Sequence, residues 1–213
     1  MLPAYMLVLL VQIWLKATVS KYSSELCGMT GNEAARLVLS NVGAYDVSII
    51  SAKGELTDHY DPAANSISLS ETTYGVNSVA AVGIAAHEAG HAAQYHENYA
   101  PAKLRQSTVK VCNIGSRFAI PLIFLGYIFA FEPLVVAGIV CFGLVVVFQL
   151  ITLPVEFNAS RRAVQILSAS GRLSKSEIKG VKRVLTAAAM TYVGALAVTS
   201  VQLFYYVTRL RRK

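Results

Sequence analysis

The chain has 213 residues, 54% of them apolar and only 15% charged, with a formal net charge of +7. That balance argues against an ordinary soluble domain, in which about a quarter of residues are charged, and no basic run is interleaved with aromatics as in a single-strand nucleic-acid binder. Cys27, Cys112 and Cys141 are odd in number and far apart, which excludes a disulfide framework or a zinc ribbon and leaves buried free thiols.

Residues 2–15 are apolar apart from Gln12, with Trp14 and Lys16 at the end of the run. Snorkelling by Lys16 extends the run to about Val19, so residues 1–19 read as an uncleaved membrane anchor, with a helix lying in the interface as the alternative. Thr30-Gly31-Asn32-Glu33 has capping-box spacing and opens an amphipathic helix through Ala34, Ala35, Leu37, Val38 and Leu39, stopped near Gly43. Strands are expected at 46–51, 55–60 and 66–70, with Asp61-Pro62-Ala63-Ala64-Asn65 as the turn between the last two. A small antiparallel sheet therefore precedes the next element.

That element is the run 78–95, which lacks proline and is rich in alanine, so it favours helix. Inside it stands His87-Glu88-Ala89-Gly90-His91, an H-E-x-x-H motif. Residues four apart share one helical face, so His87 and His91 can aim imidazole nitrogens at one ion while Glu88 lies beside it. Two neutral imidazoles suit zinc, and a carboxylate next to zinc-bound water suits general-base work. Two plain buried histidines would gain nothing from sharing a small-residue face with a glutamate.

A polar stretch follows Tyr95 as far as Arg117. Residues 118–131 and 134–153 are then nearly uncharged, with Glu132-Pro133 between them, and read as a transmembrane helical hairpin. Pro154 suits the first position of a new helix over 155–170, closed by Gly171. Ser174-Lys175-Ser176-Glu177 has the spacing of a second capping box. A fourth apolar stretch, 184–208, ends in Arg209, Arg211, Arg212 and Lys213. The expected segments are thus 1–19, an anchor; 20–117, sheet plus H-E-x-x-H helix; 118–153, hairpin; 154–183, third-ligand helix and start of a soluble helix; and 184–213, a C-terminal transmembrane helix with a basic tail.

Catalytic zinc takes three protein ligands and keeps a position for water. An H-E-x-x-H-x-x-G-x-x-H arrangement fails here, because Gln94 and Glu97 occupy the glycine and third-histidine positions. His96 is off the ligand face. Among the later acids, Glu132 lies in the hairpin turn, across the membrane, and Glu177 suits a helix cap. Glu156 follows a membrane span at once, and two crossings return it to the side of His87. It is the expected third ligand, against the alternative of a surface carboxylate paired with Arg161 or Arg162. Ser160, one turn on, and Asn158 are candidates to hydrogen-bond a ligand.

The stretches Gly54-Glu55-Leu56-Thr57-Asp58-His59-Tyr60-Asp61-Pro62, the H-E-x-x-H helix and Leu153-Pro154-Val155-Glu156-Phe157-Asn158-Ala159-Ser160-Arg161-Arg162-Ala163 resemble the YugP-type membrane zinc metallopeptidases of bacteria. The resemblance covers almost the whole chain and implies a zinc-dependent peptidase in the cell membrane. Glu156 to Ala159 also resembles the third-ligand helix of HtpX-type membrane proteases, except that Ser160 stands where those carry aspartate.

The fold expected is α+β: a zincin-like metallopeptidase domain, with the H-E-x-x-H helix beside the small sheet, fused to three or four transmembrane helices. The expected function is a zinc endopeptidase with one catalytic ion on His87, His91 and Glu156, Glu88 as base, and His59, Tyr60 or Arg161 stabilising the oxyanion. Substrate would lie along an edge strand at Leu56, Thr57 and Asp58. Its partners would be a polypeptide, membrane-associated from the site's position near a span, and the lipid bilayer, but not nucleic acid. The segments holding His87 and Glu156 carry eight and seven Lys/Arg, against four at the C-terminus, which places the site on the cytoplasmic side by the positive-inside rule. Two alternatives fit the residues less well. An intramembrane protease needs an aspartate in a later span, and no Asp follows Asp61. A membrane scaffold with a structural zinc would have no use for Glu88.

Overall fold

The computed structural model describes residues 2–210, so Arg211, Arg212 and Lys213 of the basic tail lie outside the described residues. In chain order the elements are α1 (Leu2–Ser23), α2 (Gly31–Asn41), β1 (Ser48–Ala52), β2 (His59–Asp61), β3 (Ser66–Ser70), α3 (Val79–His96), α4 (Ala100–Ile128), α5 (Glu132–Ala169) and α6 (Lys175–Leu210). The chain is thus mostly helical with one three-stranded sheet. Four helices, α1, α4, α5 and α6, are long and apolar enough to cross a membrane.

Helix starts follow the expected chemistry. Glu33 reaches back to accept from the Thr30 backbone N–H at 2.8 Å, and α2 begins there. Ser174 and Glu177 exchange the same pair of bonds at the start of α6, at 2.6 and 3.2 Å. Glu177 also accepts from the Gly28 N–H at 2.9 Å, which ties the loop after α1 to α6. Gly171 closes α5 with φ +65°, a conformation glycine adopts without steric cost.

The sheet differs from expectation in two respects. Its order is β1-β3-β2, with β2 antiparallel to β3 but β1 parallel to it, so the sheet is mixed. The expected second strand starts at His59 rather than 55. Gly54 and Leu56 have φ of +96° and +55°, and a pleated strand cannot include that left-handed turn. Leu56, Thr57 and Asp58 therefore form a loop entering the edge strand. Asp58 fastens it, accepting from the Ser70 N–H and hydroxyl at 2.9 and 2.8 Å.

Two helices run further than expected. The polar stretch before 117 is already helical, since α4 starts at Ala100 with Pro101 in its first turn. Pro154 sits inside α5 instead of starting a helix, so span and third-ligand segment are one element. The same two helices, together with α1 and α6, cross the expected segment boundaries without a break.

One core joins α2, the sheet, α3 and the ends of α5 and α6. Leu39, Ile67, Leu69 and Leu167 have no solvent exposure, each worth about 1.5–3 kcal/mol of burial. The centre of α3 is lined with buried alanine and glycine, so neighbouring helices come close. Gly90 marks the closest approach: a Cβ there would stand 2.6 Å from the Ala159 carbonyl oxygen of α5. The membrane hairpin of α4 and α5 uses the same device at Gly138, where a Cβ would lie 2.7 Å from the Ile123 nitrogen.

Candidate metal centre

Helix α3 starts at Ser78, whose hydroxyl accepts from the Ala81 N–H at 3.2 Å. Its ninth and thirteenth residues are His87 and His91, with rings 4.6 Å apart and nearly perpendicular. Because Gly90 lets α5 approach, Glu156 comes directly under both. Its Oε2 lies 3.3 Å from His87 Nε2 and 3.6 Å from His91 Nε2. The donor atoms of the three side chains lie within 4.8 Å of one another and could hold a metal ion. Ligand atoms of a tetrahedral zinc site, with bonds of about 2.0–2.1 Å, stand about 3.3 Å apart. Two nitrogens and one carboxylate oxygen at these spacings fit zinc.

Glu156 is only 2% exposed, so it is no surface carboxylate, and neither Arg161 nor Arg162 pairs with it. Its cation is Arg105 of α4, which donates to Oε1 at 3.0 Å. Burial pushes the Glu156 carboxyl pKa up, but hydrogen bonds and charge from His87 and His91 outweigh it and hold the group well below the usual carboxylate range. Burial likewise opposes charging His91, and Glu156 with Glu88 more than offsets it.

A second layer fixes the imidazoles. Ser160 Oγ is 3.0 Å from His87 Nδ1. Gln94, fully buried, places Oε1 3.1 Å from His91 Nδ1. Its Nε2 donates to the Val155 carbonyl at 2.8 Å and to Asn158 Oδ1 at 2.9 Å. A carbonyl can only accept, so the amide orientation is set: Gln94 Oε1 accepts from His91 Nδ1–H, and Nε2 is the nitrogen that faces Glu156. Asn158 is held in turn by Arg162 Nε at 2.8 Å. The hydroxyl of Ser160 thus stands opposite His87, and Asn158 lies one step further out.

Glu88 lies beside the three donors and accepts from the Tyr60 backbone N–H at 3.0 Å. That N–H belongs to the free edge of β2, so the sheet edge and Glu88 face each other. A polar cavity of about 240 Å³ on this side is lined by His59, Tyr60, Glu88, His91, Arg105 and Glu156, among others. His59 is exposed there, with Nδ1 2.7 Å from the Thr57 carbonyl. The Tyr60 hydroxyl is turned away, onto Asn65 Oδ1 at 3.0 Å. Arg161 lines a separate cavity with Phe157 and Lys182 and is not brought to Glu88. Leu56 and Asp58 line a larger cavity on the other side of His87 and Glu88, and Thr57 instead bonds the Lys53 carbonyl at 3.4 Å. Sequence reasoning missed Gln94, Arg105 and Tyr192, the last of which lines both cavities from α6. A buried acid demands a cation, and Pro101 signals a helix start that would carry Arg105 inward; those two cues could have found it.

The sequence model of the family described as "Putative neutral zinc metallopeptidase" matches residues 1–211. The chain is 44% identical over 199 residues to "Putative membrane protease YugP" of Bacillus subtilis (strain 168), covering 92% of this chain and 88% of that protein. No solved structure matches significantly.

Proposed function

This chain belongs to the neutral zinc metallopeptidase family, and from that premise we propose that it is a membrane-embedded zinc endopeptidase. One ion would be held by His87, His91 and Glu156. The observation that carries the reading is the convergence of those three donor sets within 4.8 Å, with the Glu88 carboxylate between two cavities beside them. When bound, zinc acidifies a water and polarises the scissile carbonyl. Glu88 takes the proton from the attacking water and returns it to the amine as the C–N bond breaks. Ser160 and Gln94 keep the two imidazoles oriented, and Arg105 neutralises the oxygen of Glu156 that faces away from them. His59 lies on the rim of the polar cavity with its Nδ1–H given to the Thr57 carbonyl, so it would serve the oxyanion only through Nε2 when that nitrogen also carries a proton. An extended substrate pairs with the free edge of β2.

Glu156 follows the apolar run 134–153 by three residues, which supports a site at the bilayer surface acting on membrane or membrane-associated polypeptides. The lysine and arginine balance supports a cytoplasmic face. The test is Glu88→Gln in the purified full chain. It is expected to keep its zinc and to lose cleavage of a quenched peptide by more than about a hundredfold. Cleavage at the parent rate would overturn the role of Glu88. Zinc binding with no cleavage by the parent chain would favour a membrane scaffold instead.

A further inference from the structure

The cavity on the second side of the site holds about 540 Å³. That falls within the roughly 300–1,000 Å³ of ligand pockets. Its floor is Ile84 with His87, Glu88 and Glu156, so whatever fills it touches the metal centre. Its walls are two membrane helices. Helix α6 gives Val184, Leu185 and Ala188, and α1 gives Leu15 and Val19. The two helices touch at both ends and leave the cavity between. Below, Gly180 lies so close under Tyr22 that a Cβ would meet its ring at 2.7 Å. Beyond the other end, Val8 packs on Gly194 and Gln202 donates to the Tyr5 hydroxyl.

The rim along α1 is not apolar. Gln12, Lys16 and Ser20, one turn apart on one face, are exposed and line the opening. They interrupt a helix that otherwise exposes Leu9, Leu10 and Ile13. Trp14 and Lys16 are residue types that mark the boundary between lipid and water. The cavity therefore spans that boundary. An extended chain entering from lipid would carry unpaired backbone N–H and C=O groups, which hydrocarbon cannot satisfy. A polar stripe at one-turn spacing offers them partners, and the apolar walls behind it accept the side chains.

We propose that this cavity is a substrate subsite for an apolar stretch of a membrane protein, unwound at the bilayer surface, with Gln12, Lys16 and Ser20 meeting its backbone. Helix α1 is thus a wall of the substrate site as well as an anchor. The proposal rests on the peptidase reading for what happens to the bound chain, but not for whether the chain binds.

The test is therefore a binding measurement in the Glu88→Gln full-length protein, loaded with zinc in lipid nanodiscs. Two fluorescent peptides of equal length and charge are compared, one with a leucine- and phenylalanine-rich stretch and one with serine and glycine in its place. The parent is expected to prefer the apolar peptide. Ala188→Trp, which fills the cavity from α6, should weaken that peptide roughly ten- to hundredfold and leave the polar one within about twofold, the loss expected when a large apolar side chain is no longer buried. Leu15→Trp does the same from the opposite wall, and zinc content confirms that each variant is folded. Equal affinity of the parent for both peptides, or filled variants that bind the apolar peptide as the parent does, would overturn the subsite. If the unsubstituted chain cleaves neither peptide yet the filled variants lose selectivity, the subsite stands and the peptidase reading falls.

Discussion

The water-facing body and the membrane bundle of this protein are built on opposite rules. In the body, α2, the sheet and α3 enclose their apolar side chains, and alanines of α3 such as Ala85, Ala86 and Ala89 are fully buried. In the bundle, large apolar side chains such as Phe124, Phe129 and Val140 are more than half exposed, as helices facing lipid require. The metal centre belongs to neither region alone. His87 and His91 come from the body, Glu156 from the helix that has just left the bundle. A site divided in this way exists only while the two regions are docked, and an ion held there would in turn add to their docking.

Removing the bundle's share breaks this relation most completely. Glu156→Gln is expected to lower zinc affinity by more than the roughly 10–100-fold typical of a hydrogen-bond partner, and to leave Arg105 without its anion. Elemental analysis after dialysis checks it; full zinc occupancy would remove Glu156 from the ligand set. The contact itself is the next target. Gly90→Ala forces α5 away from α3, with an expected cost of about 1–3 kcal/mol and weaker zinc binding. Gly143→Ala, whose Cβ meets no neighbour within 4 Å, is the matched control in the bundle and should not lower the thermal unfolding midpoint, since alanine favours helix over glycine by about 0.5–1 kcal/mol.

Smaller effects separate the two sides. Gln94→Leu, on the body, frees the Nδ1 proton of His91 and should cost about 10–100-fold in zinc affinity, read by chelator competition. Ser160→Ala, on α5, removes one hydroxyl and should cost about tenfold, near the lower end of that range. A reversed order would mean that α5 contributes more to ligand orientation than α3 does. The least effect is expected at Glu177, which serves the tie between the loop after α1 and α6. Hydrogen bonds from Ser174, and then from Gly28, hold its pKa below the ordinary 4.5. Its folded-state pKa is depressed, so its contribution is present above about 4.5 and is lost as pH falls through the lower folded value. Unfolding midpoints followed from pH 7 into that acid range should therefore drop less in Glu177→Gln than in the parent.

Part of the candidate site is legible in the chain and part is not. His87, Glu88 and His91 are a local pattern: helix periodicity alone puts them on one face. Glu156 lacks a local pattern, yet its place beside the two histidines is reachable, because a zinc ion would need a third donor and membrane crossings exclude the other acids. Ser160 followed from Glu156 by the same periodicity. Both capping boxes were legible because their chemistry is contained in four residues. Gln94 was noticed only as a missing glycine, since its function depends on the Val155 carbonyl, which approaches from a distant helix. Arg105 was hidden in a stretch whose polarity resembled a loop. The sense of β1 against β3 depends on a crossover, and side-chain alternation is the same for parallel and antiparallel partners. The start of β2 was misplaced because Leu56 adopts a left-handed conformation that its side chain does not favour.

The continuity of α5 through Pro154 has a mechanical side. At 1.5 Å per residue, its 38 residues form a rod of about 57 Å, longer than the roughly 30 Å hydrocarbon layer it crosses. The carboxylate of Glu156 is carried on this rod three residues past its apolar run 134–153, while the imidazoles are carried on a separate helix, α3. The inclination of such a rod depends on the thickness of the lipid around it. With the site at the bilayer surface as proposed, a thinner or thicker membrane would act as a lever, with the bilayer on the long arm and the distance from Glu156 to His87 and His91 on the short one.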